Sequence, residues 1–191
     1  MKNHRPGSVT LKQVRERLYT RRQVLLAAAG GSLASLFVLP ANLSAAESED
    51  PWAVIAQVQQ HLFPDEPDSP GARAVNALDY LQGVMQDPRI PQDERDFVLR
   101  GVGWLQGMAQ QRHASGFLQM STAEQEALLR EIARSEAGEN WLSTLLTYLF
   151  EALLTAPAYG GNPGGVGWKW LQYVPGFPLP DADTLHTRLP R

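Results

Sequence analysis

Any chemistry in this chain would have to come from carboxylates and histidines. Asp65, Glu66 and Asp68 lie within four residues of one another, the kind of grouping from which a general acid and base are drawn. Pro64, Pro67 and Pro70 interleave with them, which puts the cluster in a polar loop where solvated acids are the commoner outcome. The four histidines, His4, His61, His113 and His186, are scattered, and neither H-E-x-x-H nor E-x-x-H occurs, so no helix offers a metal-binding pair. His61 reads as a helix-face or end-capping residue and His113, beside Arg112, as a solvated one. There is no cysteine, which excludes disulfides, thiolate zinc sites, cysteine-ligated iron–sulfur clusters and covalently attached haem c from this chain.

Nucleotide-binding loops fail as well. A phosphate loop needs G-x-x-x-x-G-K-[ST], but the lysine of the glycine-rich region, Lys169, stands between Trp168 and Trp170. Gly165-Val166-Gly167 runs into Trp-Lys-Trp with no strand before it, unlike a dinucleotide fingerprint. The chain is therefore expected to hold no cofactor and no metal of its own. A stand-alone hydrolase or lyase using the 65–68 carboxylates is the enzymatic alternative to a non-catalytic role.

The elements that would position these residues are helical. Trp52, Ile55, Val58 and Leu62 share one face of a first helix that opens at Pro51 and ends at Phe63-Pro64. Val75, Leu78, Leu81 and Met85 repeat at helical spacing in a second, closed by Asp87-Pro88. A third, from Gln92 to about Arg112, places Val98, Val102 and Leu105 on one stripe, and its Gly101, Gly103 and Gly107 read as permitting close approach of another backbone. Ser121-Thr122-Ala123-Glu124 is a capping box that starts a fourth. Gly138 separates it from a fifth, Asn140 to Thr155, which is apolar nearly all round and belongs at the centre of a bundle. No period-2 alternation and no internal repeat occurs. The expected fold is all-α, a compact bundle of about five helices with an irregular Gly- and aromatic-rich C-terminal segment.

Charge divides the chain. Residues 1–22 carry seven basic residues against one acid, a net of +6, whereas residues 47–191 carry a net of −9. The acidic remainder argues against nucleic-acid binding. The basic stretch leads into an uncharged apolar segment, Val24 to Leu39, then Pro40 and the small residues Ser44, Ala45 and Ala46, the order of an export leader. Its apolar core of about 16 residues is short for a bilayer span. Arg21-Arg22 immediately before it looks like a twin-arginine signal, an address read by a receptor that passes folded proteins. The expected organisation is a twin-arginine signal peptide over 1–46, cleaved after Ala46, and a single helical domain over 47–191. Folded export without a cofactor site points to a partner subunit as the reason for that route.

Beyond the fifth helix, Tyr159-Gly160-Gly161-Asn162 is followed by Val166-Gly167-Trp168, with Lys169-Trp170 directly after it, and by Val174-Pro175-Gly176-Phe177-Pro178, and Lys169 is the only charged residue between Glu151 and Asp181. Aromatic side chains on glycine-rich backbone must pack across the bundle or against another molecule. Two readings stand, a docking surface and a wrap that covers the bundle; for Trp168 the expectation is docking. These blocks, with Leu62-Phe63-Pro64 and Pro70-Gly71-Ala72 upstream and the twin-arginine leader, resemble the gluconate 2-dehydrogenase subunit 3 family over nearly the whole chain.

The resemblance implies a non-catalytic small subunit of a periplasmic, membrane-associated sugar or sugar-acid dehydrogenase. A large flavoprotein of the glucose-methanol-choline type would hold FAD and do the chemistry, and a multihaem cytochrome c subunit would hold haem c and pass electrons to the membrane. The small subunit would carry the flavoprotein through the twin-arginine translocase, with Arg21 and Arg22 as the address, and help it mature. Tyr159, Gly160, Gly161, Asn162, Gly167, Trp168 and Trp170 are the expected partner-binding residues. A structural interaction protein for an unrelated partner is the remaining alternative.

Overall fold

The computed structural model describes residues 49–181 and 183–185. Arg21, Arg22, the expected cleavage position, His4 and His186 lie outside the described residues. The described residues form six α-helices and no strand: α1 (Pro51–Leu62), α2 (Ala77–Gln86), α3 (Gln92–His113), α4 (Thr122–Ile132), α5 (Glu136–Leu154) and the short α6 (Val166–Trp170). The all-α expectation holds, with five long helices and one further turn.

Each boundary has a local cause. Asp50 accepts a hydrogen bond from the Trp52 amide at 3.1 Å and Pro51 occupies the first turn of α1, where its missing N–H is no loss. Ser121 and Glu124 form the capping box of α4 with both reciprocal bonds in place. The C-terminus of α2 is covered from outside it, because the Arg95 guanidinium donates to the carbonyls of Met85 and Asp87, 3.2 Å each, and so satisfies carbonyls that lack an intrahelical partner.

Two sequence expectations are corrected by this arrangement. Gly138 does not separate two helices. Ser135 caps α5, its hydroxyl accepting from the Gly138 amide at 3.1 Å, so Gly138 lies inside the first turn, where a Cβ would come within 2.1 Å of the Ile132 carbonyl oxygen. Nor do the three glycines of α3 share a role. Gly101 faces the Trp141 ring, which a Cβ would approach to 2.1 Å, while Gly103 and Gly107 have open space around them. Gly101 thus makes room for a side chain, where close approach of a backbone was expected.

Trp141 explains the arrangement. It is fully buried, and its indole N–H donates to the Val98 carbonyl at 3.0 Å, so a large apolar ring is enclosed without stranding its donor. The same core takes in Val54, Ile55 and Val58 of α1, Leu81 of α2, Val98 and Leu105 of α3, Leu128 of α4 and Leu145 of α5. Helix α5 touches α1, α2, α3 and α6 and is the central element. Its apolar character all round is not fully absorbed, however: Phe150 and Leu154, one turn apart, remain 47% and 53% exposed.

Candidate functional site

The C-terminal end of α5 needs donors for its last carbonyls, and the segment after it supplies them. The Trp168 indole N–H reaches the Leu154 carbonyl at 2.8 Å, and the Asn162 side-chain amide reaches that of Thr155 at 3.0 Å. The Asn162 side chain also accepts from the Gly167 amide at 2.7 Å, and its backbone amide donates to the Val75 carbonyl at 3.0 Å. With no exposed surface and φ of 50°, Asn162 is the centre of this clamp, a position where Asn tolerates the left-handed region better than most residues. Gly161 and Gly167 lie against the α5 backbone, since Cβ atoms would come within 2.7 Å of the Ala152 oxygen and 2.3 Å of the Leu153 oxygen.

The seven expected partner-binding residues therefore divide. Gly161, Asn162, Gly167 and Trp168 are buried, Tyr159 is half-buried, and Gly160 and Trp170 are exposed. The expectation that Trp168 stands free for a partner is corrected: at 8% exposure it is folded against α5, because its N–H answers a helix-end carbonyl that would otherwise lack a partner.

The residues after the clamp behave differently. Trp170 packs on Phe63 with ring centroids 5.9 Å apart, and Tyr173 on Trp168 at 6.3 Å. Leu171, Tyr173, Val174, Phe177 and Leu179 are nonetheless exposed, Val174 to 86% and Phe177 to 96%. Beyond Tyr173, the amides of Val174, Gly176, Phe177 and Leu179 donate to nothing among the described residues. The domain thus leaves most of the apolar side chains of residues 171–179 uncovered.

The family described as Gluconate 2-dehydrogenase subunit 3 matches residues 49–176, about two thirds of the chain. The chain belongs to this family. No curated protein and no solved structure matched. Membership makes it an accessory subunit of a dehydrogenase complex, and the matched span takes in the whole clamp and the tail as far as Gly176.

In this family member one of the carboxylates that could have been catalytic has a structural task. Asp65 accepts from the Gly71 amide at 2.9 Å and closes its loop, while Glu66 and Asp68 are exposed. His61, on α1, lies between Gln125 at 2.9 Å and Glu126 at 3.2 Å and ties α1 to α4. His113 lies 3.6 Å from Glu124. Among the described residues no three of His, Cys, Asp and Glu come together as a metal site.

Sequence reasoning passed over one polar cluster. An open depression of about 450 Å³ is lined by Tyr80, Thr147, Phe150, Glu151, Leu154 and Thr155. The Tyr80 hydroxyl donates to Glu151 at 3.1 Å, and Tyr148 donates to Glu94 at 2.6 Å. Burial, with the negative charge of Glu94 nearby, raises the Glu151 carboxyl above its ordinary range even though the Tyr80 bond opposes the shift. Burial likewise pushes the Tyr80 and Tyr148 phenols upward, aided by the carboxylates they face. Tyr80 and Glu151 line this depression beside the exposed Phe150 and Leu154. Its only sequence signal is the polar interruption of an apolar helix at Glu151.

Proposed function

We propose that this chain is the non-catalytic small subunit of a membrane-associated, FAD-dependent sugar or sugar-acid dehydrogenase, and that it escorts the flavoprotein subunit through the twin-arginine pathway and supports its assembly. FAD belongs to the large glucose-methanol-choline-type subunit and haem c to a multihaem cytochrome subunit. The complex works at the periplasmic face of the inner membrane. Family membership supports the place in a dehydrogenase complex. The observation that carries the docking role is the uncovered tail, in which Val174 and Phe177 stand almost fully in solvent although the rest of the domain is acidic and charged.

Docking is assigned to Trp170 and the residues after it, with Tyr159 and Gly160 at the margin, while the buried clamp residues hold the base from which the tail departs. Large aromatic side chains at such a surface are the usual anchors of binding energy. The Arg21-Arg22 pair supplies the address for both subunits. Replacing both with lysine, which lacks the planar bidentate donors of guanidinium, is expected to leave this subunit and the dehydrogenase activity in the cytoplasm. Periplasmic activity at wild-type level in that strain, or in one lacking this gene, would remove the escort role.

A further inference from the structure

We propose that the depression on α5 is a second docking contact and takes an arginine side chain of the flavoprotein subunit, with the guanidinium on Glu151 and the aliphatic stem along Phe150 and Leu154. This rests on the reading of the chain as the small subunit of a dehydrogenase complex and names the chemistry its partner presents. Thr147, Phe150, Glu151 and Leu154 recur every three or four residues along one side of α5, and Tyr80 of α2 completes the wall. The hydrogens of that wall are already engaged. A carbonyl and a carboxylate accept only, so the Thr147 hydroxyl donates to the Ser143 carbonyl at 2.9 Å and the Tyr80 hydroxyl to Glu151 Oε2 at 3.1 Å. Among the described residues nothing donates to Glu151 Oε1. Nor is Glu151 or Glu94 paired with a cation among them.

The depression thus offers an acceptor, a negative charge and apolar surface. Its complement is a side chain that carries positive charge and only donates, which at neutral pH means arginine or lysine. Arginine fits better, because guanidinium is less strongly hydrated than ammonium and stacks on aromatic faces, and Tyr80 and Phe150 supply two rings at this wall. Its methylene stem covers the exposed Phe150 and Leu154 while the head reaches the carboxylate. Burial, with the Glu94 charge nearby, already disfavours an unpaired carboxylate at Glu151, and a cation seated there offsets both. The position points to the same partner as the tail. Leu154 and Thr155 line the depression, and their carbonyls are the ones covered by Trp168 and Asn162, so the depression adjoins the base from which the tail departs.

The test uses the complex assembled in cells that express all its subunits and captured through a tag on this one. Wild type, Glu151→Gln and Glu151→Lys are compared for flavoprotein retained over a salt series, and each subunit is also melted alone. The expected result is association about tenfold weaker for Glu151→Gln and at least about a hundredfold weaker for Glu151→Lys. Glu151→Gln should also show a shallower salt dependence while melting no lower than wild type. Benzoyl-phenylalanine in place of Thr147 should cross-link, on irradiation of the complex, to an arginine-containing peptide of the flavoprotein. Assembly lost on changing that arginine to glutamate should return with Glu151→Lys. Wild-type retention by Glu151→Gln overturns the site, as does a cross-link to the cytochrome subunit or back to this chain. Loss of melting temperature together with assembly in Glu151→Gln also overturns it, since Glu151 would then serve the fold. A wild-type subunit that captures no flavoprotein at all overturns the parent reading, and the site with it.

Discussion

Tyr159–Trp168 and Trp170–Leu179 adjoin each other, are nearly uncharged and contain aromatic rings and glycine, yet the first is folded into the bundle and the second is not. The difference lies in what each offers the end of α5. The first places an indole N–H and an asparagine amide on two helix-end carbonyls and has glycines where its backbone meets that of α5. The second has prolines at 175 and 178, no bonded amide from Val174 to Leu179 among the described residues, and rings that only partly cover one another. Aromatic content alone therefore does not decide whether a segment wraps or docks. Donors that answer orphan acceptors, and glycines that let them approach, decide it.

The largest effect expected from breaking this contrast is at the clamp. Trp168→Ala opens a cavity and strands the Leu154 carbonyl, which should cost the isolated subunit about 3–5 kcal/mol and lower its melting temperature by about 10 °C or more. Asn162→Ala removes two side-chain bonds and should come next, with about 2–3 kcal/mol. Melting of either variant at the wild-type temperature would mean the clamp is not what holds this segment.

At the tail the same kind of truncation should act on assembly. Val174→Ser with Phe177→Ser is expected to change stability by less than about 0.5 kcal/mol and to weaken co-purification with the flavoprotein by about 2 kcal/mol. Intact assembly in this variant would move the docking surface elsewhere, with the depression beside Phe150 and Leu154 the next place to look.

The smallest effect sharpens the boundary between the two regions. Because the Glu151 carboxyl is raised in the folded state, the fold binds its proton more tightly than the unfolded chain does. Its stabilising contribution is present at low pH and is lost as pH rises through the raised carboxyl range, leaving a partly desolvated charge at neutral pH. Glu151→Gln keeps an acceptor for Tyr80 and should melt at or slightly above wild type at pH 7, by less than about 1 kcal/mol given its partial exposure. The gap should close on acidification. A gap that does not change with pH would take this titration out of the account.

Where a feature depends on residues close in sequence, it was legible. Pro51 and Phe63-Pro64 bounded α1, and Ser121 with Glu124 announced α4, because capping is a three-residue interaction. Features that join distant residues were not. Gly101 reads as a place for another backbone to approach until Trp141, 40 positions on, is seen to need the space. The docking expectation for Trp168 failed for the same reason, since its acceptor is the end of a helix 14 residues back. Gly138 misled because a glycine between two apolar runs usually breaks them, whereas here Ser135 begins the helix before it.

Amide hydrogen exchange of the subunit, free and in its purified complex, tests the central claim most directly. In the free subunit the amides of Asn162 and Gly167, bonded to Val75 and within the clamp, should be protected, and those of Val174, Gly176, Phe177 and Leu179 should exchange fast. In the complex the tail amides should slow while the clamp amides stay as they were. Tail amides that exchange equally fast in the complex, with new protection appearing on another face, would contradict the account.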